Sequence, residues 1–141
     1  MPDSRDHAFP VRVYYEDTDF SGFVYHANYL KFFERGRSEA LRAAGVTHRD
    51  LLAWEPPSAM VVRHMEIDFE RPARIEEDLV VHTRFVSLRG ARMFIDQRLE
   101  RAGEIIATAR LEVVLITLSG RPRRIPEALS KALEALIPTP S

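Results

Sequence analysis

A chain of 141 residues, 45% of them hydrophobic and without a biased tract, is long enough for one domain over 1–141 with a real core. A formal charge of −1 gives no electrostatic footprint for nucleic acid, and the absence of cysteine removes disulfides, thiolate metal sites and a cysteine nucleophile. No stretch is long and apolar enough to span a bilayer, and "MPDSRDHAF" lacks the basic-then-apolar run of a signal peptide, so the expected location is cytoplasmic.

In chain order, Phe9, Val11, Val13 and Tyr15 alternate with Pro10, Arg12, Tyr14 and Glu16, the period of a half-buried strand. From Tyr29 the period becomes helical. Tyr29, Leu30, Phe33, Ala40, Leu41 and Ala44 share one face, and Gly45 is a plausible stop. Gly36 lies inside that face at a cost of about 1 kcal/mol relative to alanine, which predicts close approach to another backbone, here a sheet. Residues 47–57 read as a short turn or helix ending at Pro56-Pro57.

Strand-like segments follow. Val61, Met65, Ile67 and Phe69 alternate with His64, Glu66 and Asp68 until Pro72 breaks the pattern. Leu79, Val81, Thr83 and Phe85 lead to a turn at Arg89-Gly90. Met93, Ile95 and Leu99 lead to a hairpin at Arg101-Ala102-Gly103. The last run carries Ile105, Ala107, Ala109, Leu111, Val113 and Leu115 on one face, with Ile106, Val114 and Ile116 on the other. That outer face implies a cover, either a helix or a second subunit. Pro126 opens an amphipathic segment through Leu129, Ala132, Leu133 and Leu136. One strand, one long helix, four strands in antiparallel meander and a short helix make an α+β architecture.

The chemistry concentrates in "YYEDTDFSGFVYHANYLKFFERGR", residues 14–37. Asp19 lies in a turn that Ser21-Gly22 lets bend sharply, and the chain then enters the helix. The first helical amides have no internal partner and the helix dipole adds positive potential, so this end can hold an oxyanion. A carboxylate beside a polarised carbonyl suits hydrolysis, as base for a water or as nucleophile. Three readings of Asp17, Asp19 and His26 stand side by side: a capped turn, a catalytic acid, or a metal site for which no third ligand has a recognisable spacing. His7, His48, His64 and His82 read as surface or satisfied strand residues. Eighteen of the twenty cationic side chains are arginine, whose fork suits carboxylates and phosphates.

The segments "YEDTD", "VYHANYL" and "FERGRSE", with "FERPARIEEDLVV" further on, resemble the hotdog-fold acyl-CoA thioesterases. Within these the similarity is to the 4-hydroxybenzoyl-CoA thioesterase-like family and its Tol–Pal-associated branch. The resemblance implies an antiparallel sheet wrapped around one long central helix. It implies hydrolysis of an acyl-CoA to a free acid and coenzyme A, with no cofactor, since coenzyme A belongs to the substrate. Asp19 matches the family's catalytic aspartate, Asp17 a structural acid, and His26 the helix-start position whose amide faces the thioester carbonyl. Tyr25 matches pocket lining. Arg89, Arg92 and Arg123, with Arg124 beside them, match cations for the coenzyme A phosphates. Glu34, Arg35 and Arg37 match helix packing or salt bridges. A homodimer or homotetramer is implied. A dehydratase on the same fold needs a separate motif that is absent, and a non-catalytic acyl-CoA binder would dispense with Asp19.

Overall fold

The computed structural model describes residues 6–137; residues 1–5, on which the signal-peptide reading partly rests, lie outside them. The elements are β1 His7–Arg12, α1 Asn28–Ala43, α2 His48–Leu52, β2 Ser58–Phe69, β3 Asp78–Arg89, β4 Arg92–Arg101, β5 Glu104–Thr117 and α3 Glu127–Glu134, with a single 3₁₀ turn at Tyr15–Asp17. The strands form one antiparallel sheet in the order β1-β3-β4-β5-β2, and α1 packs against β1, β3 and β4. This is the α+β hotdog architecture that the resemblance implies. No helix among the described residues is long and apolar enough to cross a membrane.

The expected four-strand meander holds only for β3, β4 and β5. β2 pairs with β5 at the far edge, from Ser58↔Thr117 to Phe69↔Ala107. The reason lies in the link between β2 and β3. Its backbone groups are committed elsewhere: Ala73 C=O accepts from Val24 N–H, Ala73 N–H donates to the Tyr29 hydroxyl, and Glu76 and Glu77 pair with Val13. A link tied to the helix start and to the exit of β1 cannot close a tight hairpin.

β1 is shorter than its alternation suggests. Val13 is fully buried and keeps the phase, but Tyr15, expected on the inner face, is 81% exposed. The strand stops because the Tyr14 N–H donates 2.8 Å to the Asp17 carboxylate instead of to a neighbouring strand. In β5, Ile105 faces outward and Ile106 is fully buried, the reverse of expectation. Glu100 pairs with Ile105 and Leu99 with Ala107, so Ile106 is an extra residue that resets the alternation. The β4–β5 hairpin uses positive φ at Gly103 (83°), as its sequence predicts, and also at Ala102 (49°).

The seat of α1 is built by Tyr29, Phe32, Phe33, Gly36, Ala40 and Leu41, all buried. Leu30, expected inside, is exposed, and Phe32 takes its place. Gln97 of β4, itself buried, donates to the Phe33 carbonyl and to Thr83 Oγ1, both at 2.9 Å. Gly36 meets the sheet as predicted, though through side chains: a Cβ there would lie 2.4 Å from Val81 Cγ1 and 3.3 Å from Gln97 Nε2.

Gly36→Ala therefore trades a gain of about 1 kcal/mol in helix propensity against an overpacking cost of about 1–3 kcal/mol. Urea denaturation should show net destabilisation. A more stable variant would mean that α1 sits further from β3 than described.

Candidate active site

Between β1 and α1 the chain makes a compact bend held by one carboxylate. Asp17 is buried; its Oδ2 accepts the Tyr14 N–H at 2.8 Å and its Oδ1 accepts Asn28 Nδ2 at 2.6 Å. Its backbone carbonyl accepts the Tyr25 N–H at 3.0 Å. One residue thus ties the exit of β1, the return of the bend and the first residue of α1. Thr18 and Val24 close the loop as an antiparallel bridge, and Phe23 bridges Arg74, whose guanidinium lies 4.9 Å over the Phe23 ring.

At the tip, Asp19 faces solvent. Its Oδ1 accepts the Ser21 N–H at 2.8 Å and the Ser21 hydroxyl at very short range. The hydroxyl first, and then the backbone N–H, hold the Asp19 carboxyl below the ordinary range, so it stays ionised. Oδ2 makes no hydrogen bond to the described residues. His26 lies in the turn leading into α1, two residues before its first residue: the Asn28, Tyr29 and Leu30 N–H groups donate to the carbonyls of Tyr25, His26 and Ala27. The N–H groups of His26 and Ala27 find no acceptor among the described residues and remain available at the positive end of a 16-residue helix. The His26 ring packs at 4.6 Å against Tyr25, tilted by 49°, and meets Phe69 edge-on at 6.4 Å. Tyr25 and Phe69 are each 49% exposed and Phe20 is wholly so, which leaves an apolar rim around an ionised carboxylate and free amides.

The three predicted arginines lie elsewhere in the chain. Arg89 and Arg92 flank the β3–β4 turn, at the end of the sheet remote from the bend. Arg89 is exposed and makes no hydrogen bond or ion pair with the described residues. Arg92 pairs with Glu112 at 3.3 Å, and Arg63 shares that carboxylate at 2.7 Å. Arg123 donates to Pro56 O and Ser58 Oγ and lies 5.2 Å over Trp54, so it also anchors the entry to β2. Asp19, Tyr25 and His26 share one bend of the chain, and the three arginines lie outside it.

One pairing escapes sequence reasoning. Ser38 Oγ lies 3.0 Å from His48 Nε2, across α1 and α2. Ten residues apart on two helices, they offer no spacing signal. No carboxylate orients His48 among the described residues, so the pair lacks the third member that activates a serine.

The model of the thioesterase superfamily matches residues 21–108, beginning two residues after Asp19. The acyl-CoA thioesterase YbgC of Haemophilus influenzae is 40% identical over 92% of this chain and 95% of its own length. The acyl-CoA thioester hydrolase YbgC of Escherichia coli O6:H1 is 39% identical over 86% and 90%. The crystal structure of a probable thioesterase from Bartonella henselae superposes with a TM-score of 0.84 at 50% identity, covering 86% of this chain and 99% of that one.

Asp17→Asn removes the charge that two donors share and turns one carboxylate oxygen into a donor. The expected loss is about 1.5–3 kcal/mol, read as a lower urea midpoint at unchanged slope. A change below about 0.5 kcal/mol would show that the bend does not depend on this carboxylate.

Proposed function

The chain belongs to the thioesterase superfamily, and from that premise we propose that it is an acyl-CoA thioesterase in which Asp19 attacks a thioester carbonyl held on the His26 N–H. The observation that carries the reading is the pairing of an ionised carboxylate with unpartnered amides in one bend that Asp17 fixes. The amides accept the charge that develops on the carbonyl oxygen. An ionised carboxylate can attack the thioester carbon directly, as a nucleophile. Asp19 Oδ2 would bond to the acyl carbon, the C–S bond would break with departure of the coenzyme A thiolate, and water would then open the mixed anhydride to free acid and carboxylate. His26 lends its amide to the oxyanion, and its ring, with Tyr25, lines the approach. The reading places the enzyme in the cytoplasm, with its acyl-CoA substrates.

The arginines require a second copy. Along β3 the bend end and the Arg89 end are separated by about 36 Å of strand. The β2 edge offers the remedy. It is a long outer strand with Val61 and Val62 exposed, whereas the opposite edge, β1, is short and carries Pro10. Antiparallel pairing of β2 with a second β2 about a two-fold axis would lay the Ser58 end of one copy beside the Phe69 end of the other. Ser58 holds Arg123 and Phe69 packs on His26 and Tyr29. The partner's phosphate-binding arginines thereby approach the bend.

Three outcomes check this. Asp19→Asn should lower kcat on an acyl-CoA by about 10²–10⁴-fold, with His26→Ala intermediate because its amide survives; a wild-type rate for Asp19→Asn would refute the assignment. Arg89→Ala should raise KM with kcat nearly constant, since a phosphate contact is the same in ground and transition states. An unchanged KM would move the nucleotide end elsewhere. Light scattering should give at least twice the chain's mass, and a monomer at micromolar concentration would contradict the shared site.

A further inference from the structure

The cavity between α1 and the inner face of the sheet has a volume of about 260 Å³. It lies just below the 300–1,000 Å³ typical of small-molecule sites, which suits a short acyl group. Met60, Phe85 and Met93 wall it with apolar atoms, and Glu34, Arg37 and Ser38 reach it from α1. Met60 belongs to β2, the edge against which the second copy would seat its bend.

Arg37 is out of place in such surroundings. It is half-buried, and its single described hydrogen bond runs from Nη1 to Gln97 Oε1 at 3.0 Å. Gln97 is fixed in turn by its own bonds to Phe33 O and Thr83 Oγ1, so the guanidinium is held rather than free to swing into water. Glu34, one turn earlier, is exposed and forms no ion pair with it among the described residues. Burial pulls the Arg37 pKa down, and the more distant Glu34 charge only partly opposes this. Guanidinium offers five N–H donors in a fixed fork matched to carboxylate oxygens. Half-buried cations of this kind are ordinarily paired, and the unmet donors border a cavity.

We propose that this cavity receives the acyl chain of a thioester held on the second copy's bend, and that Arg37 selects chains whose far end carries an anionic oxygen acceptor, making it a specificity residue for the hydrolysis. The inference rests on the thioesterase reading above and adds a substrate class to it: short acyl groups ending in a carboxylate. Ser38, held by His48, supplies a second polar contact beside the fork.

The experiment compares glutaryl-CoA with pentanoyl-CoA, two five-carbon thioesters that differ at the far end, by kcat/KM. The wild-type enzyme should favour glutaryl-CoA by about tenfold or more, the effect of one charge-assisted hydrogen bond. Arg37→Met should lower that ratio at least tenfold, and Arg37→Lys, which keeps the cation without the fork, should fall between. A wild-type ratio at or below one overturns the inference without any variant, as does a ratio that Arg37→Met leaves unchanged. If neither probe is cleaved while other acyl-CoA thioesters are, the inference alone fails. If no acyl-CoA is cleaved, the thioesterase reading fails with it.

Discussion

The Asp17 carboxylate is the constraint on which the site depends. A buried acid stops β1 by capturing the Tyr14 N–H, then fixes the start of α1 through Asn28. Both partners lie within eleven residues of Asp17 in sequence, so the lock is local to the bend. What it holds in place is less stable on its own. Asp19 and His26 are exposed, and their relation is set by backbone rather than by packing. The neighbouring tie, Tyr29 Oη to Ala73 N–H, extends the same lock to the β2–β3 link and so to the sheet order.

The second constraint is the close seat of α1. Gly36 against Val81 and Gln97 between Phe33 and Thr83 bring helix and sheet together near the middle of α1. The Gln97 side chain that fixes this seat also carries Arg37. Packing, the position of the helix start and the polarity of the cavity are therefore coupled, and a change at Gln97 would be felt at both ends of the site. Meanwhile Phe20, Tyr25 and Phe69 expose an apolar rim at the bend, and β2 forms one edge of the sheet.

Much of this was legible in the sequence where interactions are local. Alternation over Leu79–Phe85, the hairpin at Ala102-Gly103 and the helical face from Tyr29 each follow from a short-range period or a backbone requirement. The acidic bend was equally legible as a unit, because Asp17, Asp19 and His26 are neighbours in the chain. Long-range features were not. The place of β2 beside β5 depends on bonds between the β2–β3 link and the bend, and the extra residue at Ile106 depends on the register with β4. Leu30 and Phe32 exchanged places because a helix face read from apolar residues alone leaves its rotation loose. Arg37, read as packing or a salt bridge, bonds Gln97 and makes no ion pair among the described residues.

The central claim is that the bend itself is the reaction centre, with the thioester carbonyl on the His26 N–H and the carboxylate of Asp19 facing its carbon. The most direct test is a crystal structure of the Asp19→Asn variant soaked with an intact acyl-CoA. The account predicts the thioester oxygen within hydrogen-bond distance of the His26 N–H, about 2.7–3.2 Å, and the carbonyl carbon beside position 19. A thioester bound with its carbonyl at Ser38 and His48, away from the bend, would contradict it.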